Sequence, residues 1–309
     1  MKSDFYIIKP VLRLLSLLFS ITALYACSVG NVETPLPDSF ASPASYLNNG
    51  IHHYSNNNYP EAIKQFEKAL LQYRSIDNQT GIAQSCMNLA KTYMAVNNNQ
   101  AAGEYLAIAN SVVERASLTE LQEHLQLLNS SLAINNGQFD NAAQDLIPVL
   151  GSTNTSIRLA ALKNRCKIAF IENHTDKQQW LEKYRKLQAG TPDNTSSHLA
   201  RILRFESELT DDASTKDALL TQSLAISQQL ANRPAIAATL TDLAQLDIDN
   251  QRYDLAEDRT LRALFIRHQL GDVKNTQLIL QKMQIIYAST DNQKYQLAAE
   301  WISRISNNN

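Results

Sequence analysis

The sequence predicts an all-α solenoid of about seven helical hairpins, and three observations carry that expectation. First, a small residue (once a tryptophan) returns at nearly the same place in helix-sized blocks. The series Ala62, Ala102, Ala142, Trp180, Ala218, Ala256 and Ala298 advances in steps of 40, 40, 38, 38, 38 and 42 residues. A period in this range marks supersecondary units that stack because none can bury its apolar face alone. Second, the 309 residues include only 8 Gly and 8 Pro, are rich in Ala, Leu and Gln, and lack strand-like runs of Val, Ile and Thr. That composition suits helices. Third, turn signals recur with the period: Asn56-Asn57-Asn58, Asn97-Asn98-Asn99, Asn135-Asn136-Gly137 and Asp249-Asn250. Asn and Gly tolerate the left-handed region and stop helices, while Asn and Asp cap the next one.

The N-terminus reads as an address. Lys2, Lys9 and Arg13 precede an apolar run from Leu14 to Ala26 that is too short for a comfortable membrane span of ~20 residues. The run closes on Leu24-Tyr25-Ala26-Cys27, which resembles the bacterial lipobox. The resemblance implies a signal peptide over residues 1–26, cleavage before Cys27 and acylation of its thiol and amine. Two or three acyl chains anchor stably, at ~0.8 kcal/mol per buried methylene. Ser28 rather than Asp at the next position implies, by similarity to enterobacterial sorting, transfer to the outer membrane. The alternative is an ordinary secretory signal with an incidental Cys. Residues 27–42, with Pro35 and Pro37 and no apolar period, read as a flexible tether.

The folded region is expected over 43–305, ahead of a polar tail at 306–309. Unit one is the clearest: Tyr46, Gly50, Tyr59, Ala62, Phe66 and Ala69 stand at offsets 4, 8, 17, 20, 24 and 27 of a block beginning at Pro43. Unit two keeps Leu89, Ala90, Tyr93, Ala102, Leu106 and Ala109; unit three keeps Gly137, Phe139, Ala142 and Leu146. Unit six keeps Leu243, Ala244, Tyr253, Ala256 and Ala263. Units four, five and seven match loosely, through Trp180, through Ala218 and Ala225, and through Tyr295 and Ala298. Small residues at offsets 8, 20 and 27 let paired helices approach, and larger ones fill between them. Pro60 falls in the first turn of a helix, where its missing N–H matters little. This pattern resembles the tetratricopeptide repeat (TPR), a helix-turn-helix unit. In unit seven Trp301 and Ile302 precede the polar tail, as a terminal cap requires.

Catalytic and metal signals are scarce. With 28 Lys plus Arg against 30 Asp plus Glu, or 25 against 29 after loss of residues 1–26, no basic stripe suits a nucleic acid. No HExxH, Gly-rich phosphate loop, GxSxG or CxxC occurs. His52 and His53 are adjacent and point ~100° apart on a helix, so they do not share one metal. Cys86 and Cys166 sit in units two and four, which do not neighbour one another, and read as buried free thiols. Asp211-Asp212 reads as a solvated cap. No enzyme, cofactor, metal or small-molecule substrate is expected, although a site spread across repeats would escape a motif search.

The TPR resemblance also says where a partner would sit. Its groove-facing offsets fall on Asn48, Ile51 and Tyr54 in unit one and on Asn88, Lys91 and Met94 in unit two. They continue at His124, Leu127 and Ser131 in unit three, Arg204 in unit five, and Asp242 and Gln245 in unit six. The Lys/Asn/Arg clamp of the chaperone-binding branch is absent, with Leu47 and Met87 at offset 5 and Ile51 and Lys91 at offset 9. Capture of a terminal carboxylate is therefore not implied, and the mixed lining suits an extended peptide or a partner helix. Families joining a lipobox to such repeats include pilotins, barrel-assembly components and peptidoglycan-enzyme scaffolds. The expectation is an outer-membrane lipoprotein that faces the periplasm and binds envelope proteins through its groove. The alternative is a structural subunit of a secretion or pilus complex.

Overall fold

Four of the hairpins begin with a local decision, a side chain that caps the first helix: Ser42, Asn78, Asn154 and Asn232. The computed structural model describes residues 42–191, 197–290, 293, 294, 296 and 300. The signal segment, Cys27, the tether up to residue 41, Tyr295, Ala298, Trp301, Ile302 and the tail lie outside the described residues. Thirteen helices and no strand occur among them. Six hairpins are complete: α1 (Pro43–Ser55) with α2 (Tyr59–Ser75), α3 (Gln79–Ala95) with α4 (Asn99–Arg115), and α5 (Thr119–Asn135) with α6 (Phe139–Leu150). These continue as α7 (Thr155–Ile171) with α8 (Lys177–Ala189), α9 (Ser197–Ser207) with α10 (Ala213–Gln229), and α11 (Arg233–Asp249) with α12 (Tyr253–Gln269). α13 (Val273–Thr290) follows. The fold is an all-α solenoid.

Of the four predicted turns only Asn97-Asn98-Asn99 supplies a side-chain cap, through Asn98; Asn58, Gln138 and Arg252 make no such bond, and most caps stand before the first helices or at other turns. Asn78 Oδ1 accepts from Gly81 N at 2.8 Å, Asn98 Oδ1 from Ala101 N at 3.1 Å, and Asp212 Oδ2 from Thr215 N at 2.7 Å. Each such bond satisfies an otherwise orphaned helix donor. Between paired helices, Asn57 and Asn97 take φ of 57° and 59°, and Gly137 takes 74°. In the sixth hairpin Gln251 adopts the left-handed conformation instead of Asp249 or Asn250, and Ala231 does so before α11. Neither is a usual residue for that region, so composition does not reveal them.

Packing within the hairpins follows the small-and-large pattern. Ala62, Phe66 and Ala69 are fully buried in α2, and Gly50 of α1 lies against the Phe66 ring. A Cβ built at Gly50 would meet Phe66 Cε1 at 2.4 Å, so the absence of a side chain sets the helix separation. Ala102, Ala109, Ala142, Ala256 and Ala263 are likewise fully buried. Unit five departs from expectation: Ala218 and Ala225 are exposed, and Leu220, Ser223 and Ser227 form the buried stripe. The second helices start at 59, 99, 139, 177, 213 and 253, which gives steps of 40, 40, 38, 36 and 40. Lys216 therefore takes the place of Ala62, and the alanine match two residues later is a coincidence of composition. Trp180 does hold the Ala62 place in α8, half-buried, with the Arg165 guanidinium 4.7 Å from its ring centre.

The array curves far enough to touch itself. Asn57 Nδ2, in the turn of the first hairpin, donates to Ala231 O after the fifth at 3.4 Å. One hairpin further on, Asn97 Nδ2 donates to Asp272 Oδ1 after the sixth. Sequence separations of 174 and 175 residues mark the two as successive rungs of one closing contact.

Candidate functional site

Curvature of this kind turns the first helix of each hairpin inward, and these helices enclose a cavity of about 1120 Å³. α1, α3, α5, α7, α9 and α11 line it, with contributions from Tyr184 of α8, Ser223 and Ser227 of α10 and Arg267 of α12. Ten of the twelve groove residues assigned above stand in its wall: Asn48, Ile51, Tyr54, Asn88, Lys91, Met94, His124, Leu127, Ser131 and Arg204. Asp242 lies apart from them, lining a smaller neighbouring cavity of about 370 Å³ that shares Arg204 as a wall. Gln245 lines neither; its side chain bonds Asp249 at 2.9 Å and also Lys282.

The wall has two characters. Toward α1, α3 and α5 it is apolar, with Leu47, Ile51, Met87, Met94, Leu121 and Leu127. Side-chain amides and hydroxyls run between these residues. Asn164 Nδ2 donates to Ser131 Oγ at 3.0 Å, and Ser131 Oγ to Leu127 O at 2.8 Å. Toward α7 and α9 the wall is cationic, with Lys163, Arg201 and Arg204, while Lys91 reaches in from α3 and Arg267 from α12. No Asp or Glu lines the cavity among the described residues.

Two of these cations are neutralised from behind. Arg204 Nε donates to Asp242 Oδ2 at 2.6 Å, and Arg267 pairs with the buried Asp272 at 2.7 Å. Lys91 instead stands 4.4 Å above the Tyr54 ring centre, a cation–π contact. Lys163 and Arg201, both half-buried, make no hydrogen bond or ion pair among the described residues. Burial, then the charges of Arg201, Lys167 and Lys91, push Lys163 down to about 8. Burial and Arg201 bring Lys167 to about 8 as well, and its Nζ reaches Asn135 Oδ1 at 3.3 Å. Burial and Arg204 lower Arg201 to about 10 against the pull of Tyr184, Asp242 and Glu208. His198 is held at about 4 by burial and Lys163, and its Nδ1 shares a 2.6 Å hydrogen bond with the Tyr184 hydroxyl. Each like charge in a low-dielectric wall makes the next harder to keep.

Lys163, Asn164, Tyr184, His198 and Arg201 escape the sequence reading. A signal for two of them exists: Asn88 and Asn164 both stand nine residues after the start of their helices. Carrying the α3 register into α7 would have assigned Asn164 and, one residue before it, Lys163. Elsewhere no metal site is built, since no group of three His, Cys, Asp or Glu side chains converges among the described residues. Cys86 and Cys166 are buried free thiols, pushed up by burial to about 11 and about 12, so both remain protonated. Among the described residues no helix is long and apolar enough to cross a membrane.

No family model matches the chain, and no curated protein matches it. Among solved structures, BtubC (BKLC) from P. vanneervenii aligns at a TM-score of 0.44 and 14% identity, covering 82% of this chain and 90% of that one.

Proposed function

We propose that the chain is a bacterial tetratricopeptide-repeat lipoprotein, anchored through acylated Cys27 to the periplasmic face of the outer membrane. Its role in this reading is that of an adaptor that holds a segment of an envelope protein. The observation that carries the reading is the convergence of ten groove residues, drawn from four hairpins, on one cavity. A cavity with an apolar side, amide groups and unpaired charge is suited to recognition.

The test is in-cell crosslinking and pull-down of the full chain against Tyr54→Ala/Lys91→Ala at matched expression, with labelling by a palmitate analogue. The adaptor reading expects a specific envelope partner that the double variant loses while retaining its helical circular dichroism. It also expects label on the wild type and none on Cys27→Ser. A partner kept by the double variant would favour the structural-subunit alternative, for which the exposed Leu71, Ile147 and Phe265 on second helices are the contact candidates. Absence of label on the wild type would remove the anchor.

A further inference from the structure

Lys163 and Arg201 pose an unsolved electrostatic problem. Two half-buried cations that repel one another share the wall of a cavity without a carboxylate, together with Lys91. Desolvating a charge without a partner is strongly unfavourable, and breaking or omitting the counter-charge is usually what a functional site tolerates and a structural core does not. The nearby acids do not fill the gap: Asp242 is held by Arg204 and Asp272 by Arg267, while Glu208, which also acts on Arg201, forms no ion pair with it and stands outside the cavity wall. Arg204 Nη1 is also buried without a hydrogen-bond partner. Among the described residues, then, Lys163 and Arg201 have no counter-charge in contact with them.

The rest of the wall narrows the source of a counter-charge. A nucleic acid needs phosphate contacts along an open track and exposed stacking rings. Here one ring, Tyr54, lies under Lys91, and the other, Tyr184, is fully buried and bonded to His198. Asn88 and Asn164 already donate to Gln84 O and Ser131 Oγ, and a lipid tail would match neither their remaining amide valences nor Asn48, whereas a peptide backbone offers both donors and acceptors. Leu47, Ile51 and Met87 then accommodate apolar side chains at the other end.

We propose that the cavity takes an extended acidic segment of a partner polypeptide, with side-chain carboxylates seated between Lys163 and Arg201 and apolar residues of the same segment against α1 and α3. This rests on the adaptor reading and deepens it. The contact is with internal carboxylates, so neither a free C-terminus nor a metal is required. Ionised acceptors on Lys and Arg donors form the stronger class of hydrogen bond, and their formation removes the repulsion within the wall.

Panning a random-peptide display library, with the peptides fused through their C-termini, against the full chain tests this. Enriched sequences are expected to combine Asp or Glu with aliphatic residues. A C-terminally amidated synthetic copy should bind in fluorescence anisotropy, and Lys163→Gln/Arg201→Gln should weaken it tenfold or more. Replacing the copy's Asp and Glu by Asn and Gln should weaken binding to the unaltered chain equally, a readout that does not depend on how the variant folds. Enrichment of neutral or basic peptides, or undiminished binding of the amide-substituted copy, would overturn the acidic-segment assignment while leaving the adaptor intact. Failure of the wild type to enrich any sequence would count against both.

Discussion

Lys163 shows how a single side chain ties stability to function. In the unfolded chain it keeps its proton up to its ordinary 10.5, while in the folded cavity burial and the charges of Arg201, Lys167 and Lys91 bring it to about 8. Between those values the unfolded chain binds more protons, so this residue makes folding more favourable as pH rises through the window. The buried thiols act oppositely: Cys86 rises from 9.0 to about 11 and Cys166 from 9.0 to about 12, so their contribution falls as pH rises above 9.0. The difference between wild type and Lys163→Met isolates the lysine. In denaturant titrations from about pH 7 to about pH 10.5 the variant should be the more stable chain at the lower end, and its advantage should shrink as pH rises. A difference that does not change with pH would refute the buried-charge account. Such a gain on removing a wall charge, paired with lost binding, is the ordinary trade-off between a stable core and a working site.

At the scale of the helix, one substitution is expected to act in opposite directions in two hairpins. Gly50→Ala brings a Cβ to 2.4 Å from Phe66 Cε1, and the fully buried ring has no room to yield. Overpacking of this kind should destabilise by about 1–3 kcal/mol in urea denaturation. Gly103→Ala, inside α4, meets Leu132 Cδ2 at an ordinary 3.6 Å. There the better helix propensity of alanine should stabilise by up to about 1 kcal/mol. Equal effects at the two sites would mean that helix propensity, and not the approach of α1 to α2, sets the requirement at Gly50. This requirement was legible in the sequence because Gly50 and Phe66 both obey the repeat spacing. The register of α10 was not, because alanine is frequent enough to match at Ala218 while the buried positions fall at Leu220, Ser223 and Ser227.

For the whole molecule, the two side-chain bonds spanning 174 and 175 residues join hairpins that sequence neighbours alone would leave apart. Asn57→Gly/Asn97→Gly removes both donors and keeps a residue able to hold the left-handed turns at 57° and 59°. With about 1 kcal/mol for each bond, amide hydrogen exchange in the loops holding Ala231 and Asp272 should quicken roughly fivefold if each loop is released alone and about thirtyfold if both open together. Exchange elsewhere in α2 and α4 should stay unchanged, since a solenoid's stability is mainly a sum of neighbour terms. Unaltered exchange at both loops would show that helix packing alone closes the cavity.

By itself the sequence determined the all-α class, the spacing of the first four hairpins, several of their left-handed turns and much of the inner face of α1, α3 and α5. These are local quantities, written in 3.6-residue periodicity and in the few residue types that accept positive φ. Only the tertiary structure decided that Lys91, Lys163, Arg201 and Arg204 meet around one cavity while Asp242 faces another and Gln245 neither. The reason is geometric. Curvature accumulates from a small rotation at every interface between hairpins, so which charges face each other across the cavity depends on the sum of all those rotations, and no stretch of sequence records a sum.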